Sequence, residues 1–304
     1  MSVAGAPSAA TPATASIPAP PRSLWSDAWS ALRQNRAAMA AGVILVILVL
    51  LVLVGPSLSS YRFDKPDWDE IAVPPALAGG HLFGTDSLGR DLFTRTLHGG
   101  RMSLLIGIVS TLVSLVIGIG WGATAGFLGG RIDRLMMRIV DILYALPFMF
   151  LVILLMVLFG RNILLIFVAI GAINWLDMAR IVRGQTLGLK QREFIEAARV
   201  SGVRPGRIIL RHIVPNLLGV VVVYVTLTIP QVILVESFLS FLGLGVQEPM
   251  TSWGVMVSDG AMEMENAPWM LLFPAVFLAV TLFCFNYLGD GLRDALDPRD
   301  RSGR

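Results

Sequence analysis

Six long apolar intervals, almost free of charged residues, constrain the fold of this chain more than any other feature of its 304 residues. A helix needs about 20 mostly apolar residues to cross a bilayer, because lipid offers its backbone no other hydrogen-bond partner. Charged residues make up 15% of the chain, whereas soluble domains average about 25%. The sequence therefore predicts an all-α, multi-pass membrane protein with six transmembrane helices, and it excludes an ordinary water-soluble enzyme.

The six predicted spans lie between clusters of charged residues. They are residues 37–54, a helix within 102–130, residues 142–160, residues 162–176, residues 213–235 and a helix within 266–289. The fourth span is short, and it extends through Ala179 only if Asp177 faces protein. Pro147 and Pro230 each remove a backbone hydrogen bond inside a span, which favours a kink there.

The distribution of lysine and arginine predicts the orientation of the spans. With the N-terminus inside, 18 of the 24 basic residues fall in the inner segments, so both termini are predicted to be cytoplasmic. Residues 1–36 are predicted to form a cytoplasmic tail, with a short interfacial helix from Trp25 to Asn35 that carries Trp25, Trp29 and Leu32 on one stripe. Residues 37–289 form the membrane domain, and residues 290–304 form a second cytoplasmic tail.

The sequence lacks the residues that several kinds of chemistry require. A nucleotide-binding P-loop requires Gly-Lys-Ser/Thr, but the two lysines, Lys65 and Lys190, follow aspartate and leucine. Cys284 is the single cysteine, which excludes a disulfide framework. The three histidines are far apart in sequence, so no metal site and no cofactor is predicted in this chain. Any ATP chemistry must come from another chain.

The largest predicted cytoplasmic connection, residues 180–212, carries eight basic residues. Glu193 and Glu196 suit the start of a helix, and Gly202 with Pro205 provides a stop. This predicts a short exposed helix that could transmit the movement of a partner into the membrane. Its contact face is predicted to consist of Phe194, Ala197, Ala198 and Ser201. The alternative is a charged loop that only follows the positive-inside rule.

Residues in this connection resemble a known family. Glu196-Ala197-Ala198, followed by Gly202 and Pro215, resembles the EAA loop of ABC importer permeases. His212 and Val214 depart from the commoner form of that loop, but residues 211–216 are similar to the variant of peptide and nickel permeases. Residues 83–91, 236–245 and 289–298 also fit that branch, and residues 175–186 resemble the C-type permease subunit of oligopeptide importers.

The resemblance implies a type I ABC importer permease fold in the bacterial cytoplasmic membrane. It implies a transport subunit, not an enzyme, that forms half of the path for oligopeptides. The implied partners are a second homologous permease, two ATPase subunits that bind ATP and magnesium, and a periplasmic or lipid-anchored binding protein. The chain is also expected to contact lipid, but not nucleic acid. The residues implied to contact the ATPase are Phe194, Glu196, Ala197, Ala198, Ser201 and Gly202.

The sequence does not exclude other cargoes or other classes of transporter. The same machinery could carry dipeptides, nickel or another small solute. A secondary transporter is less favoured, because it would need ionisable residues deep in its spans. The residues that come nearest, Asp141, Asp177 and Glu236, are all expected near span ends.

Polar residues near Pro230 predict part of the translocation path. Thr226, Thr228 and Gln231 are uncommon in an aliphatic helix, and intramembrane polar groups tend to face the interior of the bundle. Hydrogen bonding between helices is the alternative explanation. On the outer side, the apolar run 237–246, with Trp253 nearby, predicts a docking surface for the binding protein, or else a loop packed on its own bundle.

Two further patterns concern local structure. Asp86 is expected to be the N-cap of an interfacial helix that carries Leu88, Leu92 and Thr96. The second span carries glycines at four-residue spacing, which predicts a helix-packing face. That face could be internal or could contact a second permease. Its residues are Gly118, Gly122 and Gly126.

Overall fold

The computed structural model describes residues 24–76, 80–160 and 163–296. All named elements in these ranges are helical, and a π-helical turn, Ile209–Ile213, joins α8 to α9. The helices are α1 Leu24–Gln34, α2 Arg36–Leu58, α3 Leu92–Leu128, α4 Gly130–Tyr144, α5 Phe148–Phe159, α6 Ile163–Leu189, α7 Glu193–Val200, α8 Pro205–Ile208, α9 Val214–Phe241, α10 Trp253–Met262 and α11 Trp269–Leu296. The predicted tail as far as residue 23, residues 161–162 between the third and fourth predicted spans, and the C-terminal residues 297–304 lie outside these ranges.

Helices occur at all six predicted span positions. In the described ranges, four helical segments are long and apolar enough to cross a membrane: α2, α3, the segment Pro205–Phe241 and α11. The pair α4 and α5 counts as a fifth if it is one broken span. The fourth predicted span lies within α6, which continues to Leu189. The architecture is therefore the expected all-α membrane bundle.

The third predicted span is not one straight helix. α4 and α5 are bent by 78° relative to each other, and Pro147 lies immediately before α5. The predicted kink at Pro147 is confirmed, because proline has no backbone N–H to continue the helix. By contrast, α9 continues past Pro230 as a single helix.

The glycine face of α3 packs against α6 within the chain. A Cβ atom at Gly122 would overlap the carbonyl oxygen of Ala179, and one at Gly118 would overlap the side chain of Met178. At Gly126 it would meet the carbonyl oxygen of Arg183 at 2.9 Å. The two helices therefore approach so closely that only glycine fits, which decides the open question in favour of internal packing.

α1 packs on α11 through Ala28 and through Leu32, which belongs to the predicted stripe. Ala28 and Leu32 are buried in a cluster with Leu292 and Ala295, but the Trp29 side chain is 50% exposed. The guanidinium of Arg33 lies 4.9 Å from the Trp29 ring centroid. The Trp29 ring therefore faces away from the bundle, and the interfacial position of α1 stays a prediction.

The N-cap of α3 is Asp91 and not Asp86. The Asp91 carboxylate accepts the backbone N–H of Thr94 at 2.7 Å. The Asp86 carboxylate instead accepts the backbone N–H of Arg90 at 2.9 Å and pairs with its side chain at 2.7 Å. Gly89, with φ +73°, turns the chain between the two aspartates. The helix therefore starts later than the sequence suggested.

Candidate functional site

α7 is attached to the bundle by one fully buried side chain. Ile195 is 0% exposed and belongs to an apolar cluster that we call the Ile195 cluster. Its buried members are Ala123 and Phe127 of α3, Met178 and Val182 of α6, Ile195, Ile208, Ile213, and Leu217 and Val221 of α9. A movement of α7 would therefore act on residues from three predicted spans.

The opposite side of α7 is exposed. Phe194 is 43% exposed and Val200 is 90% exposed, and adjoining exposed apolar side chains can mark an interaction surface. Ala197 and Ser201 are also exposed, whereas Ala198 is half-buried and packs against the Ile195 cluster. The outward face is therefore mainly apolar and consists of Phe194, Ala197, Val200 and Ser201, with Ala198 at its edge.

The end of α7 is fixed by a Schellman motif at Gly202. The backbone N–H of Val203 donates to the carbonyl oxygen of Ala198 at 3.1 Å, and that of Gly202 donates to the carbonyl oxygen of Arg199 at 2.9 Å. This motif requires a left-handed residue after the helix, and Gly202 has φ +74°. The predicted stop at Gly202 and Pro205 is confirmed, since α8 begins at Pro205.

A widened turn connects α7 and α8 to α9. The backbone N–H of Val214 donates to the carbonyl oxygen of Ile209, five residues earlier, so residues 209–213 form a π-helical turn. Pro215 follows immediately and has no N–H to donate to Arg211. Such π turns often occur at functional sites, and this one lies where α7 joins a membrane helix.

Ion pairs join α4 to α6 at the α7 end of the bundle. Arg183 makes two hydrogen bonds to the Asp133 carboxylate, at 2.5 and 2.7 Å. Arg180 donates to Asp141 at 2.9 Å, and its guanidinium lies 4.3 Å from the centroid of the Tyr144 ring. Arg180 and Arg183 of α6 therefore face α4.

A cavity of about 310 Å³ lies between α6 and the bend of α4 and α5. Its walls are mainly apolar, but Asp177 and Tyr144 also line it. Its lining residues include Tyr144, Phe148, Leu151, Ile173, Leu176 and Asp177. A second, more open cleft begins beyond Arg180 and Asp141, which both line it. The cluster of Arg180, Asp141 and Tyr144 therefore separates the two spaces.

At the other end of α9, Glu236 is fully buried among hydroxyl groups. Ser240 and Ser252 each donate to Oε1, at 2.7 and 2.6 Å, and Ser103 lies 3.5 Å from Oε2. These residues come from α9, the N-cap of α10 and α3. Glu236 was expected near a span end, and it does lie there, as a junction of three helices.

Trp253 is not available for the predicted docking surface. It is 0% exposed, and its indole N–H donates to the carbonyl oxygen of Thr96 at 2.8 Å. The run 237–246 begins inside α9, which ends at Phe241. In that run Phe238, Phe241 and Leu242 are exposed. The docking prediction therefore rests on these three side chains without Trp253.

The three predicted path residues do not share a face. The Thr226 hydroxyl donates to the carbonyl oxygen of Val223 at 2.8 Å, and the buried Thr228 hydroxyl donates to that of Tyr224 at 2.8 Å. Gln231 is exposed. Successive helical residues are rotated by about 100°, which places Thr226 and Thr228 on nearly opposite sides. The structure therefore does not bring them together.

A buried histidine fastens the connection between α2 and α3. His81 is 4% exposed, and its ring nitrogens lie 2.7 Å from an Asp91 oxygen and 2.5 Å from a Glu70 oxygen. Burial lowers the pKa of His81, but the hydrogen bonds to Asp91 and Glu70 raise it, and the net pKa is above its ordinary value. Because Asp91 also caps α3, this contact ties the connection to a membrane helix.

Comparisons with known proteins identify the family. Residues 118–302 match the family described as binding-protein-dependent transport system inner membrane component. Residues 23–75 match the N-terminal TM domain of oligopeptide transport permease C. The chain belongs to the family of binding-protein-dependent transport system inner membrane components. We refer to it below as the permease.

Curated relatives agree with this assignment along nearly the whole chain. The oligopeptide transport system permease protein OppC of Escherichia coli strain K12 is 60% identical over 280 residues, which cover 92% of the permease and 93% of the relative. The OppC protein of Haemophilus influenzae is 57% identical and covers 92% and 90%. The dipeptide transport system permease protein DppC of Bacillus subtilis is 47% identical over 287 residues, 94% of the permease and 89% of the relative.

Sequence reasoning missed two residues that the structure makes prominent. Ile195 anchors α7, and an isoleucine one residue after Phe194 on an amphipathic helix could have indicated the buried side. Asp177 directly follows the fourth predicted span, as expected, and its exposed side chain lines the cavity beside the α4–α5 bend, which the neighbouring residues did not indicate. In the part of the permease that the structure describes, no group of three or more His, Cys, Asp or Glu residues could hold a metal ion.

Proposed function

We propose that the permease is a subunit of an ATP-driven ABC importer and forms half of the translocation path for oligopeptides. The names of its OppC relatives, at 57–60% identity, support this cargo. A second homologous permease would form the other half, and an external binding protein, periplasmic or lipid-anchored, would deliver the peptide. Two cytoplasmic ATPase subunits would bind ATP and magnesium, so the permease itself is a transport subunit and not an enzyme.

One observation supports a coupling role for α7. α7 presents Phe194 and Ala197 outward while Ile195, on its other side, is buried among residues of α3, α6 and α9. A short helix with one face free and the other face fixed to three spans is suited to receive a push and pass it on. A loop that served only membrane topology would not need the fully buried anchor.

The residues of α7 have separate roles in this mechanism. Phe194 would enter a pocket of the ATPase, and Ala197 and Ser201 would permit a close approach. Exposed Glu196 would contact the ATPase rather than the bundle. Half-buried Ala198 would border the contact face, and Gly202 would end the helix. When ATP binding closes the ATPase pair, α7 would move and the Ile195 cluster would move α3, α6 and α9 with it.

This mechanism requires α7 and both termini in the cytoplasm of a bacterium, with α10 on the outer side of the inner membrane. The excess of basic residues in the connections on the α7 side supports that orientation. Phe238, Phe241 and Leu242, exposed beside α10, would then face the binding protein. A cross-link from α7 to an external protein would contradict this arrangement.

Dipeptides are the second candidate cargo. The observation in their favour is the 47% identity to the dipeptide permease protein of Bacillus subtilis. Uptake of di-, tri- and pentapeptides by the same reconstituted complex separates the two candidates. We expect faster uptake of the longer peptides.

Substitutions at Gly202 test the coupling role. A Cβ atom there meets nothing within 4 Å, but φ is +74°, a conformation that costs most L-residues about 1–2 kcal/mol. Asparagine and aspartate tolerate it best and have nearly the same shape. Gly202→Asp should therefore add a charge beside the contact face with little more backbone strain than Gly202→Asn.

We expect Gly202→Asp to lower peptide uptake strongly, either with ATP hydrolysis retained or with loss of the ATPase subunits on purification. Gly202→Asn is the matched control and should retain most uptake. The measurements are uptake, ATPase activity and subunit ratio in the purified complex. Wild-type uptake by Gly202→Asp would exclude the proposed docking role, and equal loss in both variants would show that backbone strain alone is responsible.

A further inference from the structure

Asp177 is the first charged residue after the apolar run 163–176 of α6. Its side chain is exposed on this chain. Within the described residues its carboxylate has no ion-pair partner, because nearby Arg180 pairs with Asp141. An ionised side chain in contact with lipid is costly, and such residues almost always face the bundle interior or a water-filled cavity. The face of α6 that carries Asp177 therefore faces water or protein, not lipid.

The surroundings of Asp177 combine charge with apolar walls. The cavity of about 310 Å³ is lined by Phe148, Leu151, Ile173 and Leu176, with the Asp177 carboxylate among them. Ligand sites in proteins commonly consist of apolar walls with a few polar groups that fix orientation. A single unpaired carboxylate makes this site complementary to a cation that is attached to an apolar group.

The same face continues toward the α7 end through polar side chains. Arg180, Asp141 and Tyr144 form a cluster at the border of the cavity, and the open cleft lies beyond it. The pair of Arg180 and Asp141 is partly exposed, with side chains 39% and 57% accessible. Exposed ion pairs contribute little stability, so this cluster can open without a large cost.

We propose that the Asp177 cavity is a subsite of the translocation path that receives a positively charged group of the peptide. The cation is the α-ammonium of the peptide or the side chain of a lysine or arginine. The apolar walls would hold a neighbouring side chain, and the Arg180 cluster would close the cavity toward the cleft. This proposal rests on the proposed function as a peptide permease, and it moves the path from Thr226, Thr228 and Gln231 to the face between α6 and the α4–α5 bend.

Transport with Asp177→Asn tests the charge. The complete complex is reconstituted in proteoliposomes with saturating binding protein and ATP. Three peptides of equal length are compared: one with a free amino terminus and neutral side chains, its N-acetylated form, and an N-acetylated form with one lysine. Asp290→Asn, which changes an exposed carboxylate near the end of α11, is the matched control and should transport all three at wild-type rates.

We expect Asp177→Asn to lower uptake of a cationic peptide about tenfold, the size of one charge-assisted hydrogen bond, and to leave the uncharged peptide unchanged. A loss confined to the free amino terminus identifies the α-ammonium, and a loss confined to the lysine peptide identifies the basic side chain. An equal effect on every peptide overturns the subsite. A wild-type complex that transports no peptide would instead refute the proposed function.

Water access to the cavity provides a second test, which does not depend on which peptides are transported. Asp177→Cys is made in a Cys284→Ala background and treated with a charged, membrane-impermeant thiol reagent in the reconstituted complex. We expect labelling in the nucleotide-free or the ATP-bound state, slowed by transported peptide. Leu53→Cys, on the exposed apolar face of α2, is the lipid-facing control. Absence of labelling at position 177 in both states would overturn the proposal, because that face would then lie against lipid or the second permease.

Discussion

Truncation of Ile195 should separate the attachment of α7 to the bundle from its contact with the ATPase. Ile195→Ala removes three carbon groups from a fully buried site, which costs about 2.4 kcal/mol in transfer free energy at about 0.8 per group. The cavity that is left raises the loss to about 3 kcal/mol, within the range for such substitutions. This corresponds to a factor of about 150 in the equilibrium between attached and detached α7.

The loss falls mainly on α7, because an eight-residue helix depends on tertiary packing. The outward face is unchanged, so the ATPase subunits should still purify with Ile195→Ala. Peptide uptake per ATP hydrolysed should fall at least tenfold, since part of each movement is lost between α7 and the spans. Ile195→Val, which costs about 0.5–1.5 kcal/mol, should give an intermediate value.

Phe194→Ala is the matched comparison on the other side of the helix. It should reduce the amount of ATPase that purifies with the permease and leave uptake per ATP hydrolysed nearly unchanged. The assay is subunit ratio, ATPase rate and peptide uptake on the same preparation. Loss of ATPase binding in Ile195→Ala, or an unchanged uptake ratio, would refute the relay through the Ile195 cluster.

Two further predictions concern the bundle and the connection between α2 and α3. Gly122→Leu should prevent α3 from packing on α6, because even a Cβ atom at this position overlaps the carbonyl oxygen of Ala179. We expect size-exclusion chromatography in detergent to recover little folded protein. A wild-type yield would contradict the close approach of the two helices. The pKa of His81 is raised above its ordinary value of about 6.5 in the folded state. The protonated His81 ring therefore contributes fully to stability below about pH 6.5, and this contribution is lost as pH rises through the folded pKa. Hydrogen exchange in residues 80–91 should therefore increase with pH beyond its intrinsic trend, and His81→Gln should remove that extra dependence.

The spans and the end of α7 could be predicted because the rules behind them are local. A bilayer requires a long apolar run wherever the chain crosses it, so each predicted interval contains a helix. The stop at Gly202 follows from the left-handed residue that a Schellman motif requires. The bend before α5 follows from the missing N–H of Pro147. None of these conclusions needs a partner from a distant part of the sequence.

Predictions that depended on distant partners were wrong or incomplete. Asp86 is of a residue type that often caps helices, but its carboxylate pairs with Arg90, which also pairs with Glu248, 158 residues away. Trp253 looked available in an acidic loop, but the carbonyl of Thr96, 157 residues away, accepts its indole N–H. The role of Asp177 depends on where the α4–α5 bend lies, which the sequence near Asp177 does not contain.

Substitutions in the two contacts that hold α6, one with α3 and one with α7, should have different effects. Contact with α3 is so close that Gly122 admits no side chain, and a change there acts on assembly of the bundle itself. Contact with α7 passes through the Ile195 cluster, where a smaller side chain leaves a void but no clash. Both changes would strongly lower uptake, so uptake alone cannot distinguish them. A folded complex that binds and hydrolyses ATP but moves little peptide is the result that only the second change should produce, and it assigns Ile195 to transmission rather than to folding.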